Sequence, residues 1–167
     1  MREKRIIERA PLYTAEERVR RDASPWTIVQ GVLAPVQFLI FVVSLVLVIR
    51  YLRHGEHQEA ATISVVVKTF ALYTIMITGA IWEKVVFGRY LFARAFYWED
   101  MFSMLVIALQ TAYLAASLLN YGTVDQRLWL ALAAYATYVI NATQFILKLH
   151  AARLDTRGQP GGTMVAA

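Results

Sequence analysis

Three carboxylates lie close together in an otherwise apolar part of the chain. They are Glu83, Glu99 and Asp100, in the stretch TGAIWEKVVFGRYLFARAFYWEDMF that runs from Thr78 to Phe102. The stretch also holds Lys84, Arg89 and Arg94 and is dense in aromatic residues, with the doublets Trp82-Glu83 and Trp98-Glu99. A carboxylic acid gives a proton and a carboxylate takes one, so acids gathered at one place are candidates for general acid and base work. Aromatic walls around them suit a flat, apolar ligand. Helix-end electrostatics explains part of the pattern, because Glu99 and Asp100 open an expected helix, where anions complement the helix dipole. Glu83 also has basic neighbours within the stretch. Neither effect accounts for three acids set among aromatics.

The elements that must position these acids are read from hydropathy. The 167-residue chain is 58% hydrophobic, with its charges crowded into a few places. Four apolar runs reach the ~20 residues needed to cross a bilayer: about residues 26–52, 60–82, 98–119 and 128–149. The expected fold is all-α, a polytopic membrane protein with a four-helix transmembrane bundle over 26–149. A charged segment, 1–25, precedes it and a flexible tail, 150–167, follows. The N-terminal segment lacks an apolar core and reads as a surface-lying amphipathic stretch rather than a cleavable signal or a nucleic-acid arm. Of the seventeen Lys and Arg residues, thirteen lie before the first run, in the aromatic stretch, or from Lys148 onward. The positive-inside rule then places both termini and the aromatic loop in the cytoplasm.

Each expected span carries polar residues at helical spacing: Gln30, Gln37 and Ser44; Thr69, Tyr73 and Glu83; Glu99, Ser103, Gln110 and Ser117; Thr137, Asn141, Gln144 and Lys148. Lipid penalises such stripes, so they are expected to converge on a shared interior, either as interhelical hydrogen bonds or as a binding site. Pro35 is expected to open space near Gln37. Lys68 stands apart, since a lysine near the bilayer centre costs about 2.5–3.5 kcal/mol on insertion scales. It is a candidate functional residue, with a neutral or snorkelling lysine as the bland alternative.

Several classes of chemistry drop out. The chain has no cysteine, which removes disulfides, thiolate metal sites and thiol nucleophiles. It shows no phosphate loop, dinucleotide fingerprint or nucleophile elbow. His54, His57 and His150 all lie outside the expected spans, so no histidine is placed to hold a haem or chlorophyll within one. The His54/His57 spacing reads as a solvated pair rather than a metal site, and no metal ligand is assigned.

The strings RRDASPWTIVQGVLAPVQFL, VVVKTFALYTIMITGAIWEKVVFGRYLFA, FYWEDMFSMLVIALQTAYLA and LALAAYATYVINATQFILKL resemble the vinyl-bacteriochlorophyllide hydratase family, in order and over roughly residues 13–154. The resemblance implies a lyase of bacteriochlorophyll biosynthesis in a bacterial inner (intracytoplasmic) membrane. Such an enzyme adds water to the 3-vinyl group of a chlorophyllide-type macrocycle to give a 3-(1-hydroxyethyl) product. No cofactor is expected, and magnesium enters only as part of the substrate.

The residue roles are inferred from the sequence and the chemistry of hydration. Protonating the terminal vinyl carbon leaves a cation conjugated with the ring, which carboxylates tolerate. Glu83, Glu99 and Asp100 are therefore the expected acid/base group. Tyr73, Gln110, Asn141 and Gln144 are candidates for water or ring carbonyls, and Trp82 and Trp98 for the macrocycle faces. Lys68 is cast as a partner for a substrate carboxylate or carbonyl, although it lies ~20 Å along its helix from Glu83. Expected partners are the macrocycle, water and membrane lipid, with assembly into a homo-oligomer through Ala131, Ala134 and Ala142, or with other pigment enzymes, left open. A non-catalytic pigment-binding subunit and a small proton-coupled transporter are the competing readings.

Overall fold

A computed structural model describes residues 12–157 as five helices. They are α1 (Ala15–Ala23), α2 (Pro25–His54), α3 (Gln58–Phe87), α4 (Tyr97–Leu118) and α5 (Val124–Arg157). The first part of the expected surface segment, 1–11, and the end of the expected tail, 158–167, lie outside the described residues. Four helices are long and apolar enough to cross a membrane: α2, α3, α4 and the Val124–Lys148 part of α5. No strand is present among the described residues.

Local sequence sets the boundaries. Thr14 and Glu17 form a capping box at α1, each side chain taking the other's backbone N–H. Ser24 caps α2, with Pro25 in the first helical turn, where a missing N–H costs nothing. Gly55 and Gly88 end α2 and α3 in the left-handed conformation, at φ +71° and +79°, where a Cβ would be strained. Because α3 runs on to Phe87, Glu83 is part of the helix and the α3–α4 connector is residues 88–96, shorter than hydropathy suggested. The expected tail also begins as helix, since α5 continues to Arg157.

The bundle is built as two antiparallel hairpins, α2–α3 and α4–α5, joined by lighter packing of α3 on α4 and α2 on α5. At the end that carries the 55–57 and 119–123 turns, the four helices close on a core that includes Val48, Val65, Tyr113 and Leu128. Ala131 and Ala134 are fully buried in this chain's own packing. These two alanines of the small-residue face considered for assembly thus serve the bundle itself, letting α5 approach its neighbours. At the other end the hairpins part around a cavity. There α1 packs on the last turn of α3, and Arg20 Nε donates to the Val86 carbonyl at 2.9 Å.

Candidate functional site

The cavity between the hairpins has a volume of about 1080 Å³. That is at the top of the ~300–1,000 Å³ range of small-molecule pockets, so it fits a ligand larger than most metabolites. Leu72, Val106 and Tyr138 line its deep part. From Leu72 to Glu83 along α3 is ~16 Å at 1.5 Å per residue, so the cavity reaches well into the bundle.

Glu83, Glu99 and Asp100 all line the cavity and are 6%, 7% and 7% exposed. They come together because α3 ends and α4 begins on the same side of the opening. The connector then folds back over them. The Phe92 N–H donates to Asp100 Oδ2 at 2.6 Å, and the Ala93 N–H to Glu83 Oε2 at 3.4 Å. Phe92 adopts φ +60° to do this, a conformation that costs a non-glycine residue on the order of 1 kcal/mol or more. The carboxyl groups of Glu83 and Asp100 are close neighbours that interact electrostatically on the cavity wall. Two neighbouring buried carboxyl groups disfavour each other's ionisation, so a proton held by one of them is favoured.

Glu99 is held differently. Lys148, from α5, places Nζ 2.7 Å from Glu99 Oε2 and 5.2 Å from the Phe96 ring centroid. The site thus contains a pair of neighbouring carboxyl groups beside a carboxylate matched to an ammonium. Around them is an aromatic cluster. Phe96 is buried against Trp82, Phe87 and Phe145, with ring centroids 5.3–5.8 Å apart. Tyr13 stacks on Phe87 and lies beneath the Arg21 guanidinium. Burial pushes the Tyr13 phenol up, against the pull of Arg21, so it remains a neutral donor on the cavity wall.

Trp82 and Asn141 also line the cavity. Trp82 Nε1 donates to Thr27 Oγ1 at 2.9 Å, tying the end of α3 to the start of α2. Asn141 Nδ2 donates to Ser103 Oγ at 2.7 Å, tying α5 to α4. The other candidates lie outside the lining. Tyr73 bonds Thr111 at 2.7 Å between α3 and α4, and Gln110 accepts from Thr69 at 2.6 Å within the core. Trp98 points outward and is 67% exposed, as suits an interfacial tryptophan. Gln144 is half-buried beside the α5 face that carries Asn141. Lys68 is fully buried, 4.6 Å and 5.2 Å from the rings of Tyr138 and Tyr135, and stays outside the cavity lining. Its Nζ has these two rings as neighbours and no hydrogen-bond partner among the described residues.

Sequence reasoning missed four kinds of lining residue: Arg18 and Arg21 from α1, Gln30 and Gln37 from α2, Ser103 from α4, and Tyr138 from α5. Gln30, Gln37 and Ser103 were visible in the polar stripes without a role. The arginines carried no periodic signal, because their relation to the cavity depends on how α1 docks.

The fold and site define a membrane-spanning helical protein with an acid-lined pocket for a large, flat, apolar ligand. The profile of the family described as 2-vinyl bacteriochlorophyllide hydratase matches residues 13–151, and the chain belongs to that family. A protein of Rhodobacter capsulatus named 2-vinyl bacteriochlorophyllide hydratase is 65% identical over 158 residues, covering 94% of this chain and 91% of that one. One of Cereibacter sphaeroides with the same name is 65% identical over 144 residues, covering 86% and 89%. No solved structure matches.

Proposed function

We propose that this protein is a hydratase that adds water to the vinyl group of a bacteriochlorophyllide, giving a hydroxyethyl group, and that the reaction takes place in the cavity between its two hairpins. The observation that carries this reading is the gathering of the buried Glu83, Glu99 and Asp100 on the wall of a large, mainly aromatic and apolar cavity. A carboxylic acid beside an apolar ligand is what protonation of an alkene requires.

The proton of the Glu83–Asp100 pair passes to the terminal vinyl carbon, whose π electrons form the new C–H bond. Positive charge develops on the inner carbon, where the macrocycle delocalises it and the carboxylates stabilise it. A water oxygen bonds to that carbon, and the surplus proton leaves the water for Glu99. Return of that proton to the Glu83–Asp100 pair restores the starting state. Atoms and charge balance without an oxidant, a reductant or a resident cofactor.

Arg18 and Arg21, rather than Lys68, are the basic residues of the cavity lining. A bacteriochlorophyllide is a free acid, and two guanidiniums at the α1 side of the cavity suit its carboxylate. The amide of Gln37, which lines the cavity, suits a ring carbonyl deeper in. The concentration of Lys and Arg at this end supports a mouth that faces the cytoplasm.

Incubating the purified protein with a vinyl bacteriochlorophyllide in heavy-oxygen water tests the proposal. Hydration puts the label in a new hydroxyl group with nothing else added. Binding without loss of the vinyl absorption would instead mark a pigment carrier.

A further inference from the structure

At the acid end of the bundle each hairpin is tied within itself. Gln30 bonds Thr78 at 2.7 Å and Trp82 donates to Thr27 at 2.9 Å, between α2 and α3. Asn141 bonds Ser103 and Lys148 bonds Glu99, each at 2.7 Å, between α4 and α5. The seam of α3 with α4 is closed by the connector, whose Phe92 and Ala93 N–H groups reach Asp100 and Glu83. The seam of α2 with α5 has no such tie at this end among the described residues. Its side-chain hydrogen bonds, Ser44 with Tyr135 and Tyr51 with Asp125, lie towards the far end, as do the ring contacts of Phe41 with Tyr135 and Tyr138.

The cavity wall is uneven in the same place. A chamber closed on all sides would shield its walls alike. The lining residues of α3 and α4 are all buried or half-buried, with Leu72 3% and Val106 1% exposed. The lining of α2 and α5 instead includes Phe38 and Ile146, which are 51% and 66% exposed, and the exposed Gly31, Ala34 and Pro35. Small residues widen the gap, since a Cβ added at Gly31 would meet no atom within 4 Å. Pro35, inside α2, has no N–H for the Gly31 carbonyl, so the helix bends most easily here. From Gly31 to Phe38 the exposed edge runs about 10 Å along α2.

We infer that the α2–α5 seam is a lateral passage through which the pigment slides edge-on between the cavity and the surrounding lipid. The inference rests on the hydratase reading, which supplies the ligand. A free-acid macrocycle is an amphiphile: its carboxylate is costly to bury in lipid and stays at the membrane surface, while its ring sits in hydrocarbon. The passage matches that posture. Arg18 and Arg21 stand at the α1 end of the cavity, and the exposed edge from Gly31 to Phe38 lies within the first four turns of α2. The ring thus reaches the acids without leaving the apolar phase. It also avoids the end of the cavity, where Leu12 and Tyr13 on one side and Leu91 and Phe96 on the other stand in the way.

The test follows binding and release of a vinyl bacteriochlorophyllide by the purified protein in detergent, from pigment fluorescence after rapid mixing. Gly31→Trp puts a bulky side chain in the seam. It is expected to slow association and dissociation alike, by about tenfold or more, with a dissociation constant within about threefold of the wild type. Ile146→Ala removes an exposed side chain from the other edge and is expected to speed both rates about threefold. Val32→Trp, on the exposed face of α2 beside Gly31 but outside the lining, is expected to change neither. Rates indifferent to Gly31→Trp and Ile146→Ala, a Gly31→Trp effect on only one of the two rates, or equal slowing by Val32→Trp would overturn the inference. Vinyl conversion with indifferent rates would sink the passage alone. Pigment binding whose rates follow both substitutions, without conversion, would sink the hydratase reading and leave the passage standing.

Discussion

Lys148 reaches from α5 to within 2.7 Å of Glu99 on α4, and so fixes one carboxylate of the site from the opposite side of its hairpin. The contact is mostly shielded from water, where a charge-assisted hydrogen bond is worth more than at the surface. Removing the ammonium leaves Glu99 without its partner.

Lys148→Met is therefore expected to lower the hydration rate at least about tenfold and to lower the melting temperature in detergent, since losing a hydrogen bond to a charged group costs on the order of 1.5–3 kcal/mol. Lys148→Arg is expected to recover most of both. Initial rates and thermal unfolding of the two variants check this, and wild-type rates in Lys148→Met would contradict the role given to Glu99.

The connector bends at Phe92 in order to donate a backbone N–H to Asp100. Phe92→Gly keeps that N–H and relieves the positive φ. It is expected to retain conversion within about threefold and to leave stability level or slightly raised. Phe92→Pro removes the N–H and cannot adopt the angle, so conversion is expected to collapse. Similar rates for the two variants would show that the N–H to Asp100 is not needed.

Arg18 and Arg21 are expected to select the free acid of the pigment. Arg18→Gln with Arg21→Gln is expected to raise KM for the acid about tenfold or more, while KM for the methyl ester of the same macrocycle moves little. Steady-state kinetics on the two substrates decide the matter. Equal losses for acid and ester would place the carboxylate elsewhere.

Trp82 both faces the cavity and ties α3 to α2 through Thr27. Trp82→Phe keeps an aromatic wall and loses the N–H, so a stability loss of about 1 kcal/mol is expected. Pigment affinity is expected to change little. A large loss of affinity with unchanged stability would mean that the indole N–H serves the ligand rather than the helices.

Much of this was legible because a bilayer leaves few choices for the backbone. Long apolar runs must be helices, and that alone located α2 and α4 to within two residues, while α3 and α5 run on to Phe87 and Arg157, past the expected ends. The acids were legible because charge beside such runs is conspicuous. What escaped was rotation and docking. The fourth stripe was read as Thr137, Asn141, Gln144 and Lys148, but α5 turns Tyr135 and Tyr138 inward with Asn141, and Thr137 bonds back to the carbonyl of Ala133. Hydropathy cannot distinguish these faces when both are apolar or aromatic. The surroundings of Lys68 were hidden for a related reason: the two tyrosine rings beside its Nζ come from α5, whose rotation hydropathy does not give. The role of α1 was hidden because a charged amphipathic helix looks the same whether it lies on a membrane or over a cavity.

The neighbouring carboxyl groups of Glu83 and Asp100 are the proposed proton donor of the hydration. Single-turnover conversion of bound vinyl pigment by Glu83→Gln and by Asp100→Asn, with pigment affinity measured on the same samples, tests that role. Each variant is expected to bind pigment nearly as the wild type does and to hydrate it about 10²–10⁴-fold more slowly, the usual contribution of a positioned acid. Wild-type conversion by either variant, with pigment bound, would contradict it.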